Sequence, residues 1–192
     1  MTRIIAGRAG GIRLEVPARG TRPTSDRVRE SMFAALESAD AIAGARALDL
    51  YAGSGALGLE ALSRGAASAD LVEKAAAAAQ VAGRNAERVA ATTGSRVRVH
   101  RSAVQTFLSR APAASFDLVF TDPPYDLADA DLAADLVLLA PTLTADALVV
   151  VERDRRSPAP DWESASLEEV RERVYGDTVV WWAQPRAASQ SA

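Results

Sequence analysis

An apolar run followed by a glycine-rich turn constrains the fold of this chain more than any other feature. Residues 47–51, ALDLY, are typical of a buried parallel strand. They lead into residues 53–58, GSGALG, a G-x-G-x-x-G turn that opens a helix. Glycines let the backbone bend sharply and let a ligand approach it closely. The sequence therefore predicts a strand, a turn and a helix with a ligand site at the end of the strand.

From residue 45 onward, strand and helix patterns alternate. Strands are predicted at 46–51, 69–73, 96–101, 116–121 and 146–151. Helices are predicted at 55–64, 74–91, 103–110 and 129–140. Residues 167–174 and 178–182 flank Gly176-Asp177 and indicate a terminal antiparallel hairpin. This order predicts an α/β fold whose mostly parallel sheet is covered by helices on both faces.

Two acids flank the glycine turn in sequence. Asp49 precedes Gly53 by four residues, and Glu73 follows it by twenty, at the end of the next apolar run. An acid at the position of Glu73 can hold the two hydroxyls of a ribose. The turn alone leaves three interpretations open: a dinucleotide site, a site for an adenosyl methyl donor, or a tight turn only. Asp49 favours a cationic sulfonium ligand over a pyrophosphate, because opposite charges attract.

A second motif, Asp122-Pro123-Pro124-Tyr125, directly follows the apolar strand FDLVFT. The Asp122 carboxylate and the Pro123 carbonyl can together accept both hydrogens of an exocyclic amino group. Pro124 stiffens the turn because its φ is fixed, and Tyr125 offers an aromatic face on which a base can stack. The motif therefore predicts chemistry on a nucleobase amine.

These segments carry a family resemblance that spans residues 3 to about 182. DLYAGSGALGLEALSRGA and DPPY resemble class I S-adenosylmethionine-dependent methyltransferases that modify amines. RPTSDRVRESMF, at residues 22–33, and RIIAG, at residues 3–7, resemble the bacterial 16S rRNA guanine-N2 methyltransferase family of the RsmD type. The DPPY motif alone is shared with DNA adenine methylases and other rRNA enzymes.

The resemblance implies a Rossmann-like class I methyltransferase sheet, with an N-terminal β-hairpin extension, that uses S-adenosyl-L-methionine. It implies methyl transfer to N2 of a guanine in 16S rRNA, within the assembled small ribosomal subunit. It assigns catalysis to Asp122, Pro123 and Tyr125. It assigns donor binding to Asp49, Tyr51, Gly53, Ser54, Gly55, Glu73, Lys74, Ser102, Ala103 and Asp122, and substrate binding to Arg22, Thr24, Arg27, Pro124 and Tyr125. Many relatives carry an acid near Ser102, whereas this chain has Arg101-Ser102.

The N-terminal segment is basic although the chain is acidic. Residues 1–34 hold seven arginines and three acids, a net charge of +4, whereas the whole chain has a net charge of −3. We therefore predict a basic hairpin extension at 1–22, a methyltransferase domain at 23–184 and a flexible tail at 185–192. The extension is expected to meet RNA phosphate, and its removal to harm RNA capture more than donor affinity.

Composition excludes several kinds of site. The chain has no cysteine and one histidine, His100, so it has no disulfide or thiolate metal site, and no metal is expected. The lack of cysteine fits a reducing cytoplasm, no stretch has the length of a membrane span, and we expect a cytoplasmic monomer.

Three other functions are compatible with parts of this sequence. A DNA adenine-N6 methyltransferase is the nearest, but such enzymes usually carry a separate target-recognition domain, for which 192 residues leave no room. A binding module without turnover would not need the intact DPPY motif. An NAD-dependent oxidoreductase would share the glycine turn, and binding of a nicotinamide cofactor would support it.

Overall fold

The computed structural model describes residues 2–17 and 26–187, and in them a seven-stranded sheet lies between two layers of helices. The strands, in chain order, are β1 (Thr2–Arg3), β2 (Arg13–Leu14), β3 (Arg46–Leu50), β4 (Ser68–Glu73), β5 (Arg96–Arg101), β6 (Phe116–Thr121), β7 (Leu143–Asp154), β8 (Leu167–Tyr175) and β9 (Thr178–Pro185). The helices are α1 (Asp26–Ser38), α2 (Ala56–Ser63), α3 (Ala76–Thr93), α4 (Val104–Leu108) and α5 (Asp129–Leu139).

The strand order of the large sheet is β5-β4-β3-β6-β7-β9-β8. The first five of these strands pair in parallel, and β9 and β8 pair antiparallel at the far edge. The chain moves outward from β3 to β5 and then returns to place β6 on the other side of β3. This reversal leaves a crevice at the carboxyl ends of β3 and β6, where open α/β sheets bind ligands.

Each face of the sheet has its own hydrophobic core. Leucine and alanine side chains of α2 and α3 pack with Met32 and Phe33 of α1 on one face. Leucines of α4 and α5 pack with Trp162 on the other face. Trp181 and Trp182 in β9 point to opposite faces, and each is buried in one of the two cores. The Rossmann-like fold and its terminal antiparallel pair are thus confirmed.

Helix α4 is shorter than the sequence predicts. Its pattern extends over 103–110, but the helix ends at Leu108. The Arg110 N–H donates to Phe107 O and the Ala111 N–H to Leu108 O, which tightens the chain into a turn ahead of Pro112. The residue before a proline disfavours helical geometry, so the helix cannot continue. The short helix leaves part of the neighbouring sheet uncovered.

The N-terminal hairpin packs against α2. Strands β1 and β2 pair antiparallel, Thr2 with Leu14 and Arg3 with Arg13. The fully buried Glu60 carboxylate accepts the Ile5 N–H at 2.7 Å and the Ala6 N–H at 3.0 Å. A side chain at Gly7 would lie 2.1 Å from Ser63 O, so only glycine allows this close approach. The division into the segments 1–22, 23–184 and 185–192 remains a prediction.

Candidate active site

A cavity of about 1100 Å³ lies at the carboxyl ends of β3, β4, β5 and β6. Its size suits a nucleoside-sized ligand together with a second molecule. Most of the positions predicted from sequence line it: Asp49, Tyr51, Gly53, Ser54, Glu73, Lys74, Ser102, Ala103, Asp122, Pro123, Pro124 and Tyr125. Glu73 and Asp122, 49 residues apart in the chain, therefore face one common space.

Gly55 and Gly58 serve helix packing more directly than ligand approach. Gly55 has φ +80°, and a Cβ on it would lie 2.8 Å from the Leu71 side chain. A Cβ on Gly58 would lie 2.5 Å from the same leucine and 3.1 Å from Asp49 Cβ. Gly55 does not line the cavity, whereas Gly53, with φ +54°, does. The turn thus brings α2 against β4 and leaves Gly53 facing the ligand space.

Asp49 is buried beneath the glycine turn. Its Oδ2 accepts the Gly58 N–H at 2.9 Å, one of the donors that the first turn of α2 would otherwise leave unpaired. Burial raises the pKa of Asp49 to about 7; the nearby carboxylates of Asp122 and Glu73 add to the rise, and the Gly58 hydrogen bond opposes it. Three acids therefore share one end of the cavity.

The Glu73 carboxylate is held by two backbone amides. The Gly53 N–H donates to Oε2 at 3.0 Å, and the Ala75 N–H donates to Oε1 at 2.6 Å. Each carboxylate oxygen keeps a second lone pair for a hydroxyl of a ligand. These bonds fix the acid in position before any ligand arrives.

The acidic surroundings decide between the ligands that the glycine turn left open. A pyrophosphate would meet Asp49, Glu73 and Asp122, whose negative charges repel it. A sulfonium cation would be attracted by the same groups. The site therefore fits S-adenosylmethionine better than a dinucleotide.

Among the residues that the structure describes, no group of three or more His, Cys, Asp or Glu side chains could hold a metal ion.

The segments after β5 and β6 form the opposite walls. The Ser102 N–H donates to Glu73 O at 3.2 Å, which connects the segment after β5 to the end of β4. After β6, the Leu127 N–H donates to Pro124 O at 2.9 Å and closes the proline turn. Pro123 is buried, whereas Tyr125 is 57% exposed and stands at the edge of the cavity. An exposed aromatic ring beside a half-buried carboxylate suits a planar ligand that enters from outside.

Tyr51 reaches across to α5. It has φ +60°, an uncommon conformation for a non-glycine residue, and its hydroxyl donates to the Asp135 carboxylate. Burial and this hydrogen bond raise the pKa of Tyr51. Burial also raises the pKa of Asp135, although the bond from Tyr51 opposes it. Tyr51 therefore orders the cavity wall through Asp135, a residue that the sequence patterns did not single out.

Arg29 is a second residue that the sequence reasoning missed. It lines the cavity and is 1% exposed, although it lies in α1. Its Nη2 donates to Arg3 O at 2.8 Å and to Asp26 at 2.7 Å, while Nε and Nη1 have no hydrogen-bond partner among the described residues. Arg29, Met32, Phe33 and Leu36 share the spacing of one helix face. A lone arginine on an apolar helix face is the signal that could have identified it.

Asn85 joins the N-terminal hairpin to the glycine turn. It is fully buried in α3, and its Nδ2 donates to Glu15 O and to Ser54 O, both at 2.9 Å. Its Oδ1 accepts the Glu15 N–H at 2.9 Å. Thr2, Val16 and Pro17 of the hairpin also line the cavity. The extension is therefore part of the wall of this site, and the greater effect of its removal on RNA capture than on donor affinity remains a prediction.

The predicted basic substrate residues are only partly described. Arg22 and Thr24 lie outside the described residues. Arg27 is exposed at the start of α1 and does not line the cavity. Their contact with a substrate remains a prediction.

The chain is similar to known proteins. Residues 2–184 match the family described as Conserved hypothetical protein 95. The chain is 37% identical over 190 residues to Ribosomal RNA small subunit methyltransferase D of Escherichia coli strain K12, with 98% of this chain and 92% of that protein covered. It is 34% identical over 175 residues to the protein of the same name from Haemophilus influenzae, with 91% and 89% covered.

Solved structures share the whole architecture. The Escherichia coli protein yhhF superposes with a TM-score of 0.79 at 36% identity and covers 97% of this chain and 98% of its own. A hypothetical protein of Thermus thermophilus gives a TM-score of 0.77 at 34% identity, with 95% and 98% covered. The similarity therefore includes both the hairpin and the sheet.

Proposed function

Because the chain belongs to the ribosomal RNA small subunit methyltransferase D family, we propose that it transfers a methyl group from S-adenosylmethionine to ribosomal RNA of the small subunit. The target atom is the exocyclic N2 of a guanine in 16S rRNA. The observation that carries the proposal is the common cavity that Glu73 shares with Asp122-Pro123-Pro124-Tyr125.

The donor occupies the side of the cavity formed by β3, β4 and β5. When bound, S-adenosylmethionine supplies an electrophilic methyl group on a positively charged sulfur. Glu73 would hold the ribose hydroxyls, Ser102 and Ala103 would flank the adenine, and Gly53 and Ser54 would lie beneath the amino-acid part. Asp49, Glu73 and Asp122 provide the negative potential that favours a sulfonium.

Arg29 provides the matching positive group for the donor's carboxylate. It lies on the wall formed by Thr2, Val16 and Pro17, and two of its nitrogens have no acceptor within the described residues. A buried donor without a partner costs about 1–3 kcal/mol, and such groups occur where a ligand completes them.

The target base occupies the side formed by the Asp122–Tyr125 turn. The Asp122 carboxylate and the Pro123 carbonyl accept the two hydrogens of the amine, and the Tyr125 ring stacks on the base. The nitrogen lone pair of guanine N2 is delocalised into the ring, so the amine is a poor nucleophile. Holding its hydrogens directs the lone pair at the methyl group, and such positioning contributes several kcal/mol to the rate.

The same two acceptors act as the bond forms. Hydrogen bonds to Asp122 and Pro123 strengthen as the nitrogen gains positive charge, which stabilises the transition state. Asp122 faces the amine directly and is the group placed to receive the proton that nitrogen loses after transfer. Half-burial in the cavity wall keeps this carboxylate beside the amine rather than in bulk water.

A tritium-transfer assay with three substrates tests the proposal. The substrates are naked 16S rRNA, small subunits that lack the modification, and duplex DNA. We expect incorporation into a guanine of small-subunit RNA, and none into subunits whose target N2 is already methylated. Labelling of adenine in duplex DNA, with none in ribosomal RNA, would contradict the proposal.

A further inference from the structure

A second cavity, an open groove of about 640 Å³, lies on the face of the sheet beside α4, where residues of β5, β4 and β3 line it. Strand β5 reads RVRVHR, and its side chains alternate between the two faces of the sheet. Val97 and Val99 pack towards the core beneath α3, while Arg96, Arg98 and His100 line the groove. The apolar half of this strand is therefore structural, and the basic half is left on the surface.

The groove is open because α4 is short. Phe107 of α4 covers His100, with ring centroids 4.7 Å apart, but the helix ends one residue later at Leu108. The chain then turns at Pro112 and returns to β6, so Arg96 and Arg98 stay exposed at the amino-terminal part of β5. A helix of ordinary length would have covered this face.

Most of the arginines that line the groove form no ion pair with a described residue. In the groove, Arg46 pairs with Asp117, and His100 pairs with Asp70. Within residues 2–17 and 26–187, no ion pair involves the other four arginines that line it: Arg96, Arg98, Arg101 and Arg110.

Arg64, by contrast, contacts both Glu37 and Glu60. Four neighbouring cations that no described carboxylate neutralises repel one another and attract a polyanion. This group of arginines is therefore suited to binding an anionic ligand.

The groove and the active-site cavity share part of a wall. Ser102 and Thr106 line both spaces. Arg96 and Arg98 lie on one face of a strand, about 6.6 Å apart. This spacing lets them meet neighbouring phosphates of one strand rather than a single phosphate, and arginine grips phosphate through two parallel hydrogen bonds.

We infer that this groove binds the sugar-phosphate backbone of the RNA whose base enters the active site. The inference rests on the proposed function for the identity of the polyanion. The groove then contributes affinity for RNA, and the Asp122–Tyr125 turn carries out the chemistry on the base. Contacts with the backbone position an RNA without reading its sequence.

The test compares two double variants that remove the same charge. Arg96→Gln with Arg98→Gln changes the groove, and Arg155→Gln with Arg173→Gln changes exposed arginines near the opposite edge of the sheet. For each, RNA affinity is measured directly by filter binding from 50 to 200 mM salt, and transfer kinetics are measured on the RNA that the unmodified enzyme methylates. Calorimetry gives the donor Kd, and circular dichroism confirms the fold.

We expect the groove variant to bind RNA about tenfold more weakly, with a salt slope smaller by about 1 to 2. Its KM for RNA rises, while kcat and the donor Kd stay within about twofold, and the control variant matches the unmodified protein. Equal RNA affinity and equal salt slope in the two double variants would overturn the inference and leave the proposed function standing. Groove-dependent RNA binding without any methyl transfer would support the groove and contradict the proposed function.

Discussion

Asp49 illustrates how one side chain serves both the fold and the ligand. Its carboxylate satisfies the Gly58 N–H at the start of α2, yet it is buried beside two other acids. The raised pKa, about 7 against an ordinary value of 3.8, means that the folded protein binds this proton more tightly than the unfolded chain does. Ionisation of Asp49 therefore destabilises the fold as pH rises from about 4 to about 7.

Asp49→Asn should remove this pH dependence while it keeps an oxygen acceptor for Gly58. We expect the stability of the variant, relative to the unmodified protein, to increase by about 2–3 kcal/mol between pH 5 and pH 8. Urea unfolding at the two pH values measures the difference. A stability difference that is the same at both would show that Asp49 is ionised throughout.

The same residue should link donor affinity to pH. A sulfonium cation binds more tightly when Asp49 is ionised, so the donor Kd should fall as pH rises from 6 to 8. S-adenosylhomocysteine lacks the positive sulfur and should show a smaller change. Calorimetry of both compounds in the same buffers measures the two trends, and parallel trends would contradict the role given to Asp49.

Arg29 permits a test that separates charge from shape. Arg29→Met keeps a long apolar stem and removes the guanidinium. If Arg29 holds the donor's carboxylate, S-adenosylhomocysteine should bind about 10 to 100 times more weakly to the variant, because a charge-assisted hydrogen bond contributes about 1.5–3 kcal/mol. Methylthioadenosine has no carboxylate and provides the matched control ligand. Equal losses for the two ligands would mean that Arg29 only supports the hairpin.

The side chain of Asn85 in α3 couples the N-terminal hairpin to the glycine turn. Asn85→Ala would leave the Glu15 N–H, the Glu15 carbonyl and the Ser54 carbonyl without this partner. We expect a loss of about 2–4 kcal/mol in the free energy of unfolding and a weaker donor affinity. Gln80→Ala removes an exposed amide from the same helix and should change either quantity little. Urea unfolding measures the stability, and calorimetry measures the donor affinity. An unchanged donor affinity in Asn85→Ala would show that the position of the hairpin does not affect the site.

The regular elements were predictable because their signals are local. Each of these signals, such as the apolar run of β3, β4 or β6 or the glycine turn after β3, consists of residues that are close together in the chain. The predicted bounds of β5 and β6 agree with the structure in full. By contrast, β7 extends beyond 146–151 to Leu143–Asp154, because its pairing with β6 begins at Leu143 and its pairing with β9 continues to Asp154.

The contacts between elements were harder to predict from a single sequence. Glu60 and Asn85 look like ordinary polar positions on their helices, but each meets backbone groups of a segment more than 50 residues away. Such partners depend on how α2 and α3 face the hairpin, which no local pattern encodes. A charged residue within the apolar helix ALGLEALS was the available signal for Glu60.

For the whole molecule, the distribution of charge matters more than its sum. The net charge of −3 argues against a nucleic-acid partner, yet the acids concentrate in the donor cavity, and arginines that form no ion pair within the described residues line the groove beside β5. A cationic small molecule can therefore bind at the acidic cavity while a polyanionic RNA binds at the basic groove. In the part of the chain that the structure describes, no helix is long and apolar enough to span a membrane.

We propose that one cavity divides into a donor side at Glu73 and an acceptor side at Asp122. The most direct test measures donor Kd by calorimetry and single-turnover methyl transfer for Asp122→Ala and Glu73→Ala, with Asp177→Ala in the β8–β9 turn as a remote control. We expect Asp122→Ala to bind donor within a few-fold of the unmodified protein and to lose at least about 100-fold in transfer rate, whereas Glu73→Ala loses donor affinity first. Near-normal transfer by Asp122→Ala on small-subunit RNA would contradict the account.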